Sequence, residues 1–207
     1  MKVFITGIST EVGKTIASAI VTEALQADYW KPIQAGDLDN SDSHKIERLI
    51  SNSKTKIHPN SYALNTPMSP HAAAEIDGII IELGKVVEPK TKNRLVIEGA
   101  GGLLVPLNDN DTILDLIQPH YKVIVVSRHY LGSINHSLLT INTLLQKGLE
   151  VAIIFSGNEH PTTERIILKK TGIKMLGRIN EEDDFNSNKI LSYVATFKGN
   201  LEGFMEE

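Results

Sequence analysis

The 207-residue sequence predicts a single α/β domain: a doubly wound, mostly parallel sheet flanked by helices. Short apolar runs alternate with helix-like segments along the chain, which is the order that parallel sheets require. The runs at 94–98, 122–127 and 151–156 are continuously apolar rather than alternating, as expected of strands covered on both faces. There is no internal repeat or low-complexity tract. We therefore expect one domain over 1–207, with two small domains as the less natural alternative.

The first half of the chain supplies two strands and two helices. The run 2–6 (KVFIT) predicts a strand, and apolar residues at helical spacing predict a helix over 14–27. The run 29–33 (YWKPI) predicts a second strand. A short helix is expected over 42–50, with Ser41 or Asp42 at its start.

The second half continues the alternation after the strand at 94–98. Between the strands 122–127 and 151–156, an apolar stripe predicts a helix that ends at Gly148; its residues are Ile134, Leu138, Ile141 and Leu145. The stripe is expected to form core or a dimer interface. The run 173–179 predicts an edge strand, and 186–197 predicts the last helix.

Composition narrows the classes of function. The net charge of −4 gives no reason to expect a nucleic-acid partner, because such proteins usually carry a strongly basic face. The absence of cysteine excludes disulfides and thiolate metal sites. There is no signal-peptide-like start and no apolar run near the ~18 residues that a bilayer requires, so no membrane association is predicted. A cytoplasmic location is the default expectation.

Residues capable of chemistry follow the predicted strands. In doubly wound sheets, ligands bind beyond the carboxyl ends of the strands. The segments that fall there are Gly7–Thr15, Lys31, Glu98–Gly102, Ser127–Asn135 and Ser156–Asn158. This concentration predicts a site along one edge of the sheet.

The segment GISTEVGKT (7–15) has the features of a phosphate-binding loop. Such a loop needs glycines that let backbone N–H groups point inward, a lysine for the outer phosphates and a hydroxyl for Mg²⁺. Gly13, Lys14 and Thr15 supply them between a strand and a helix. The spacing departs from the common pattern, because five residues rather than four separate Gly7 from Gly13. The alternative is a glycine turn that caps an ordinary helix and leaves Lys14 exposed.

Two acids and a second lysine are candidates for the same site. Magnesium bound to a nucleotide usually takes one or two carboxylates. Glu98 ends a buried strand and opens the glycine-rich stretch EGAGG, which favours a functional role. Asp42 is equally explained as a helix cap. Lys31, in KPIQAG, is most simply a surface charge, although Pro32 and Gly36 indicate a shaped loop.

Six segments together are similar to those of the dethiobiotin synthetases. They are GISTEVGKT, KPIQAG, NSD (40–42), SPHAA (69–73), EGAGGLLVPL (98–107) and LGSINHSLLT (131–140). They keep that family's order and approximate spacing from residue 7 to residue 140. TEVGKT and LGxINH are the most diagnostic, and the five-residue spacer is the family's own form of the loop.

The resemblance implies an ATP- and Mg²⁺-dependent carboxylase that closes a ring on 7,8-diaminopelargonic acid (7,8-diaminononanoate), the penultimate step of biotin synthesis. Lys14 and Lys31 carry over as catalytic residues. Thr15, Asp42 and Glu98 carry over as the Mg²⁺ set. The implied ATP contacts are Glu11, Val12, Gly13, Lys14, Thr15, Ile16, Asp42, Glu98, Gly99, Ala100, Gly101 and Asn158.

The resemblance also implies a homodimer. Thr10 and Lys31 would face the diamine, and the neighbouring subunit would hold its carboxylate through Ser133, Ile134 and Asn135. A Gly-Ser-x-Asn turn at a helix N-terminus suits an anion, because free N–H groups lie there. Without the resemblance, this stretch is simply an N-cap before a core helix.

Several positions depart from the family pattern. Ala35 lacks the hydroxyl often found there, with Gln34 or backbone groups as candidates to compensate. The adenine loop offers Asn158, with Gly157 equally alignable. Asn180 stands in place of a proline, which weakens base contacts near 180–182.

Other residues invite a chemical role that we do not assign. His71 and His136 lack metal-ligand spacing and are interpreted as packing or hydrogen-bonding residues. Glu181, Glu182 and Asp183 are interpreted as a solvated loop.

Two rival functions share this kind of loop. A nucleotide-driven switch that positions proteins or plasmids would need a partner surface, such as a basic patch or a membrane helix, and the sequence offers neither. An amide-forming ligase on a corrinoid substrate usually carries a further glutaminase domain, for which 207 residues leave no room.

Overall fold

The computed structural model describes residues 1–206, and within them nine strands alternate with six helices. Strands β1 to β9 are Lys2–Gly7, Asp28–Trp30, Ile33–Ala35, Ile57–His58, Tyr62–Leu64, Leu95–Gly102, Lys122–Arg128, Glu150–Ser156 and Lys174–Ile179. Helices α1 to α6 are Lys14–Leu25, Asp42–Leu49, Pro70–Ile76, Ser133–Gln146, Pro161–Thr171 and Ser187–Glu206. The predicted doubly wound α/β class is confirmed.

Seven strands form one parallel sheet in the order β4–β2–β6–β1–β7–β8–β9. The chain runs from β1 through α1 to β2 on one side, and later crosses from β6 over β1 to β7 on the other. Such a reversal opens a crevice at the carboxyl ends of the central strands. The edge position predicted for 173–179 is confirmed by β9.

The predicted strand 29–33 is wrong as a single element. β2 ends at Trp30, and the chain leaves the sheet at Lys31–Pro32 to form β3, which pairs with β5 in a separate two-stranded sheet. Pro32 has no N–H to continue the ladder. Its carbonyl accepts the backbone N–H groups of Ser61 and Tyr62 at 2.8 and 3.1 Å. This exit brings Lys31 to the crevice.

Two further predicted elements are too short. β6 continues past Glu98 to Gly102, because the glycine-rich backbone pairs again with β1 after a register shift. The last helix reaches Glu206 rather than residue 197, since Leu201, Phe204 and Met205 are buried. The sequence does not predict strands β4 and β5 or helices α3 and α5. The apolar runs in these segments are too short to show a helical or strand periodicity.

Helix α4 turns a different face to the core than the apolar stripe predicts. Ile141 is buried, but Ile134 and Leu145 are exposed, and the buried face also carries Ser133, Ser137, Thr140 and Leu144. Ile134 and Leu145 are therefore not part of the core, and the alternative of a dimer interface stays a prediction. Leu131 and Leu139 are exposed as well, so apolar side chains lie on the outer side of this region. Among residues 1–206, no helix is long and apolar enough to span a membrane.

Candidate active site

A cleft of about 800 Å³ opens at the carboxyl ends of the central strands. The predicted site residues that line it are Thr10, Glu11, Gly13, Lys14, Thr15, Ile16, Lys31, Asp42, Glu98, Ala100 and Gly101. Val12 is buried and does not line the cleft. Gly99 contributes its carbonyl oxygen, which accepts from Lys31 Nζ at 3.3 Å. Most of the predicted ATP and metal residues thus meet in one place.

The phosphate loop depends on glycine at the start of α1. Gly13 is the N-cap residue with φ of 92°, a conformation that side chains disfavour. A Cβ added there would lie 2.9 Å from Ser156 Oγ. Lys14 is buried rather than exposed, and its Nζ donates to the carbonyl of Ser9 at 2.9 Å. The interpretation of the loop as an ordinary helix cap with an exposed lysine is therefore wrong.

Lys14 lies among charges of both signs. Burial, together with the positive charge of Lys31, lowers the pKa of Lys14 to about 8, against the raising effect of Glu98 and Asp42. A bound polyphosphate would reverse this balance, because it would place negative charge next to the ammonium. The loop is therefore electrostatically prepared for an anion.

Thr15 and two carboxylates converge beside the loop. Thr15 Oγ1 lies 3.1 Å from Asp42 Oδ1 and 3.1 Å from Glu98 Oε1. Within the described chain, no group of three or more His, Asp or Glu residues could hold a metal on its own. A hydroxyl with two carboxylates fits Mg²⁺ that takes its remaining oxygens from phosphate and water. These residues therefore fit a nucleotide-bound Mg²⁺.

Lys31 bridges the same two carboxylates. Its Nζ lies 2.6 Å from Asp42 Oδ2 and 3.0 Å from Glu98 Oε1, and the residue is only 4% exposed. Burial alone would lower the pKa of Lys31, but Glu98 and Asp42 raise it above the ordinary value, so the side chain is charged. For Asp42, burial raises the pKa and Lys31 lowers it, with a net lowering. Lys31 is thus no surface charge.

Sequence reasoning missed Tyr29, which supports Glu98. The Tyr29 hydroxyl donates to Glu98 Oε2 at 2.9 Å, and burial with the nearby Glu98 charge raises the pKa of Tyr29 well above its usual value. The sequence spacing could have pointed to Tyr29. Tyr29 and Lys31 are two residues apart at the end of a strand, and side chains at that spacing face the same side. Gln34 accepts from the Asp42 N–H and donates to the Gly36 carbonyl. These internal bonds occupy Gln34, which was a candidate to compensate for Ala35.

The far end of the cleft is formed by the ends of β7, β8 and β9. Arg128 Nη2 lies 2.7 Å from Glu181 Oε1, and both residues line the cleft. Gly157 lines it too, whereas Asn158 is exposed and lies outside the lining. Glu181 and Glu182 also line the cleft, so this segment is more than a solvated loop.

The predicted carboxylate-binding residues do not join the cleft within one chain. Ser133 is buried, while Ile134 and Asn135 are exposed at the start of α4. The two histidines make ordinary hydrogen bonds, His71 Nδ1 with Ser69 Oγ at 3.2 Å and His136 Nδ1 with the Tyr130 hydroxyl at 2.7 Å. Their interpretation as hydrogen-bonding residues is confirmed.

A parallel sheet with a lysine-bearing glycine loop and two adjacent carboxylates at its carboxyl edge defines an ATP-using protein of the P-loop class. Solved structures agree on the fold. A plasmid partition protein from Borrelia burgdorferi superposes with a TM-score of 0.61 and 18% identity, covering 99% of this chain and 97% of that one. The MinC:MinD cell division complex of Aquifex aeolicus gives 0.60 and 16%, covering 98% and 96%. At such identities the likeness shows the fold alone.

Sequence comparison is more specific. Residues 1–189 match a family model described as an AAA domain. The ATP-dependent dethiobiotin synthetase of Christiangramia forsetii is 59% identical over 199 residues, which are 96% of each chain. That of Cytophaga hutchinsonii is 50% identical over 197 residues, 94% of this chain and 95% of its own. The chain belongs to the ATP-dependent dethiobiotin synthetases.

Proposed function

We propose that the cleft binds ATP, Mg²⁺ and 7,8-diaminopelargonic acid and converts the diamine with CO₂ to dethiobiotin, ADP and phosphate. The observation that carries this proposal is the convergence of two buried lysines with the Thr15–Asp42–Glu98 group beside the phosphate loop. The arrangement suits a reaction in which two anions, a carbamate and a triphosphate, must be brought together. Such catalysis depends on positioning and charge neutralisation.

The proposed reaction has three steps. One amine of the substrate adds to CO₂ and loses a proton, which gives a carbamate. A carbamate oxygen attacks the γ-phosphorus of ATP, the bond to ADP breaks, and a carbamic–phosphoric anhydride results. The second amine then attacks the anhydride carbon, phosphate leaves with the bonding electrons, and loss of a proton completes the cyclic urea.

The phosphate loop holds the nucleotide in this proposal. Backbone N–H groups of Glu11–Ile16 surround the phosphates, and Lys14 neutralises them. Thr15, Asp42 and Glu98 would hold Mg²⁺, which would supply positive charge to the phosphate oxygens. Gly99–Gly101 let the backbone of β6 approach the phosphates closely.

Lys31 and Thr10 belong to the substrate side of the loop. Lys31 lines the cleft next to the metal-binding carboxylates, so its ammonium can neutralise the carbamate beside the γ-phosphate. A Cβ built on Gly101 would lie 3.7 Å from Thr10 Oγ1 and 2.9 Å from a methyl group of Val105, and all three residues line the cleft. This placement supports Lys31 and Lys14 as the catalytic residues.

The diamine site is completed by a second copy of the chain in this proposal. Apolar side chains on the outer side of the α4 region favour a covered surface, since Leu139 is 61% exposed and Leu131 and Ile134 are exposed as well. A two-fold homodimer would bring Ser133, Ile134 and Asn135 of one subunit to the cleft of the other. There they would hold the substrate carboxylate.

The proposed unit of function is a single domain over 1–207. The alternation of strands and helices around one sheet supports it. The absence of a nucleic-acid partner and a cytoplasmic location stay predictions from composition.

Mass spectrometry of the product tests the function directly. Incubation with diaminopelargonate, bicarbonate, Mg²⁺ and ATP should yield the cyclic urea, and ATP hydrolysis should depend on the diamine. Lys31→Ala should lose most turnover and keep ATP binding, because Lys14 and the loop amides are unchanged. Steady ATP hydrolysis without diamine and no urea would instead indicate a nucleotide-driven switch.

A further inference from the structure

A buried carboxylate lies behind the far end of the cleft, outside the residues that the reaction uses. Glu164, in the first turn of α5, is buried and is not part of the cleft lining. It bonds the guanidinium of Arg178 through both of its oxygens. Its Oε1 also accepts the backbone N–H of His160 at 3.2 Å and lies 2.8 Å from His129 Nε2. One carboxylate thus joins three separate segments.

Each partner of Glu164 lies close in sequence to a residue that lines the cleft. His129 follows Arg128 at the end of β7, and Arg178 precedes Ile179 at the end of β9. His160 is three residues after Gly157 and precedes α5. These hydrogen bonds from three residues therefore fix the ends of the three segments that build this wall of the cleft.

The hydrogen bonds that Glu164 accepts are of strong types, because its carboxylate is charged. A carboxylate accepts only, so His129 donates through Nε2, while its Nδ1 is buried without a partner among residues 1–206. The fork of Arg178 adds directional bonds from a charged donor. Burial alone would raise the pKa of Glu164, but Arg178, His160 and His129 hold it below the usual value, so the group is ionised.

We infer that Glu164 is a positioning residue for the nucleoside half of ATP. The inference rests on the proposed function: Lys31, Asp42 and Glu98 lie on the β2–β6 side of the phosphate loop, so the γ-phosphate lies there and the nucleoside extends toward β8 and β9. Glu164 does not touch the nucleotide. It sets the relative positions of Arg128, Gly157 and Ile179–Glu181, which form the wall against that half.

The test measures separately how the protein binds the phosphate half and the nucleoside half of the nucleotide. Isothermal titration in Mg²⁺ measures the affinity of AMPPNP, which needs both ends of the cleft, and of inorganic tripolyphosphate, which needs only the phosphate loop. Glu164→Gln should weaken AMPPNP binding roughly tenfold or more, because small displacements of positioning groups are costly. Tripolyphosphate binding should stay within about twofold of the wild-type value, which is a shift of less than about 0.5 kcal/mol. The KM for ATP should rise with little change in kcat.

Glu23→Gln is the matched control. Glu23 is also a buried glutamate with several hydrogen bonds, which it accepts from Ser51 and Asn52, but it does not line or adjoin the cleft. It should leave both affinities unchanged. Should Glu164→Gln fail to fold, Arg178→Lys keeps the charge and removes the fork geometry, and the same split is expected.

Three results would overturn the inference. Equal losses for AMPPNP and tripolyphosphate would show a general structural role. Unchanged AMPPNP binding would show that the wall does not depend on Glu164. Wild-type protein that binds AMPPNP no tighter than tripolyphosphate would show that no nucleoside half is held there, whereas failure of the proposed reaction would appear separately as absence of the urea product.

Discussion

Replacing Lys31 by methionine removes the positive charge that lies between Asp42 and Glu98 and keeps most of the side-chain volume. Glu98 is 1% exposed, so its carboxylate would be left buried without its cationic partner. Breaking a buried ion pair in this way costs about 3–5 kcal/mol. We take about 3 kcal/mol, since Thr15 and Tyr29 still bond Glu98. At about 2–4 °C per kcal/mol for a chain of this size, the Tm should fall by about 6–12 °C.

The loss of stability in Lys31→Met should depend on whether Mg²⁺ is present. Mg²⁺ can bind the unneutralised carboxylates, so the Tm of Lys31→Met should recover in excess Mg²⁺ relative to EDTA, while that of the wild type changes little. Thermal unfolding followed by circular dichroism measures both values. Lys122→Met is the control, because Lys122 is also a buried lysine with an acidic partner, Glu150, but lies at the amino end of β7. A variant as stable as the wild type in EDTA, or one equally unstable with and without Mg²⁺, would refute the reasoning.

Three other predictions concern the loop, its lysine and the α4 surface. Because the pKa of Lys14 is lowered to about 8, the free protein loses this positive charge as the pH rises through about 8, and AMPPNP binding above that pH should take up a proton. Calorimetry in buffers of different ionisation enthalpy measures this uptake, and equal uptake above and below pH 8 would contradict it. Gly13→Ala should abolish most AMPPNP binding, since it combines a left-handed backbone, which costs about 1–2 kcal/mol, with a Cβ 2.9 Å from Ser156 Oγ. Gly78→Ala is its control, with φ of 68° and open space around the Cβ; equal effects on binding would refute the role of the close approach. Leu139→Asp should give monomers in sedimentation and lose diaminopelargonate turnover while AMPPNP binding persists, and an active dimer would refute the assigned interface.

Much of the active site could be predicted because its residues follow strands. Lys14 and Thr15 come after β1, and Glu98 lies on β6 next to it, so the carboxyl-edge rule alone places them together. The helix start at Asp42 could be predicted from its capping residues, and Ser41 is the cap. Local pattern could not decide whether Asp42 belongs to the helix start or to the cleft. In the structure Asp42 lies in the first turn of α2, and its side chain contacts Thr15 and Lys31 in the cleft.

Other features depend on contacts between distant segments. Arg128 and Glu181 form an ion pair although they are 53 residues apart, and Glu164 bonds residues from three segments. No local sequence pattern can therefore predict the ion pair or the contacts of Glu164. The orientation of α4 also escaped prediction. Its buried face carries Ser133, Ser137 and Thr140, and Ser137 Oγ lies 2.8 Å from the buried Ser127 Oγ. A hydrophobic period cannot find a core face that is partly built from hydroxyl groups.

The strand order places different sets of residues at the two walls of the cleft. Lys31, Asp42 and Glu98 lie toward β2 and β6, the opposite wall is formed at the ends of β7, β8 and β9, and β1 with the glycine loop lies between them. Substitutions at one wall can therefore accumulate over generations without disturbing the other. A lineage could drift in its preference among nucleoside triphosphates while its ring-closing chemistry stays intact.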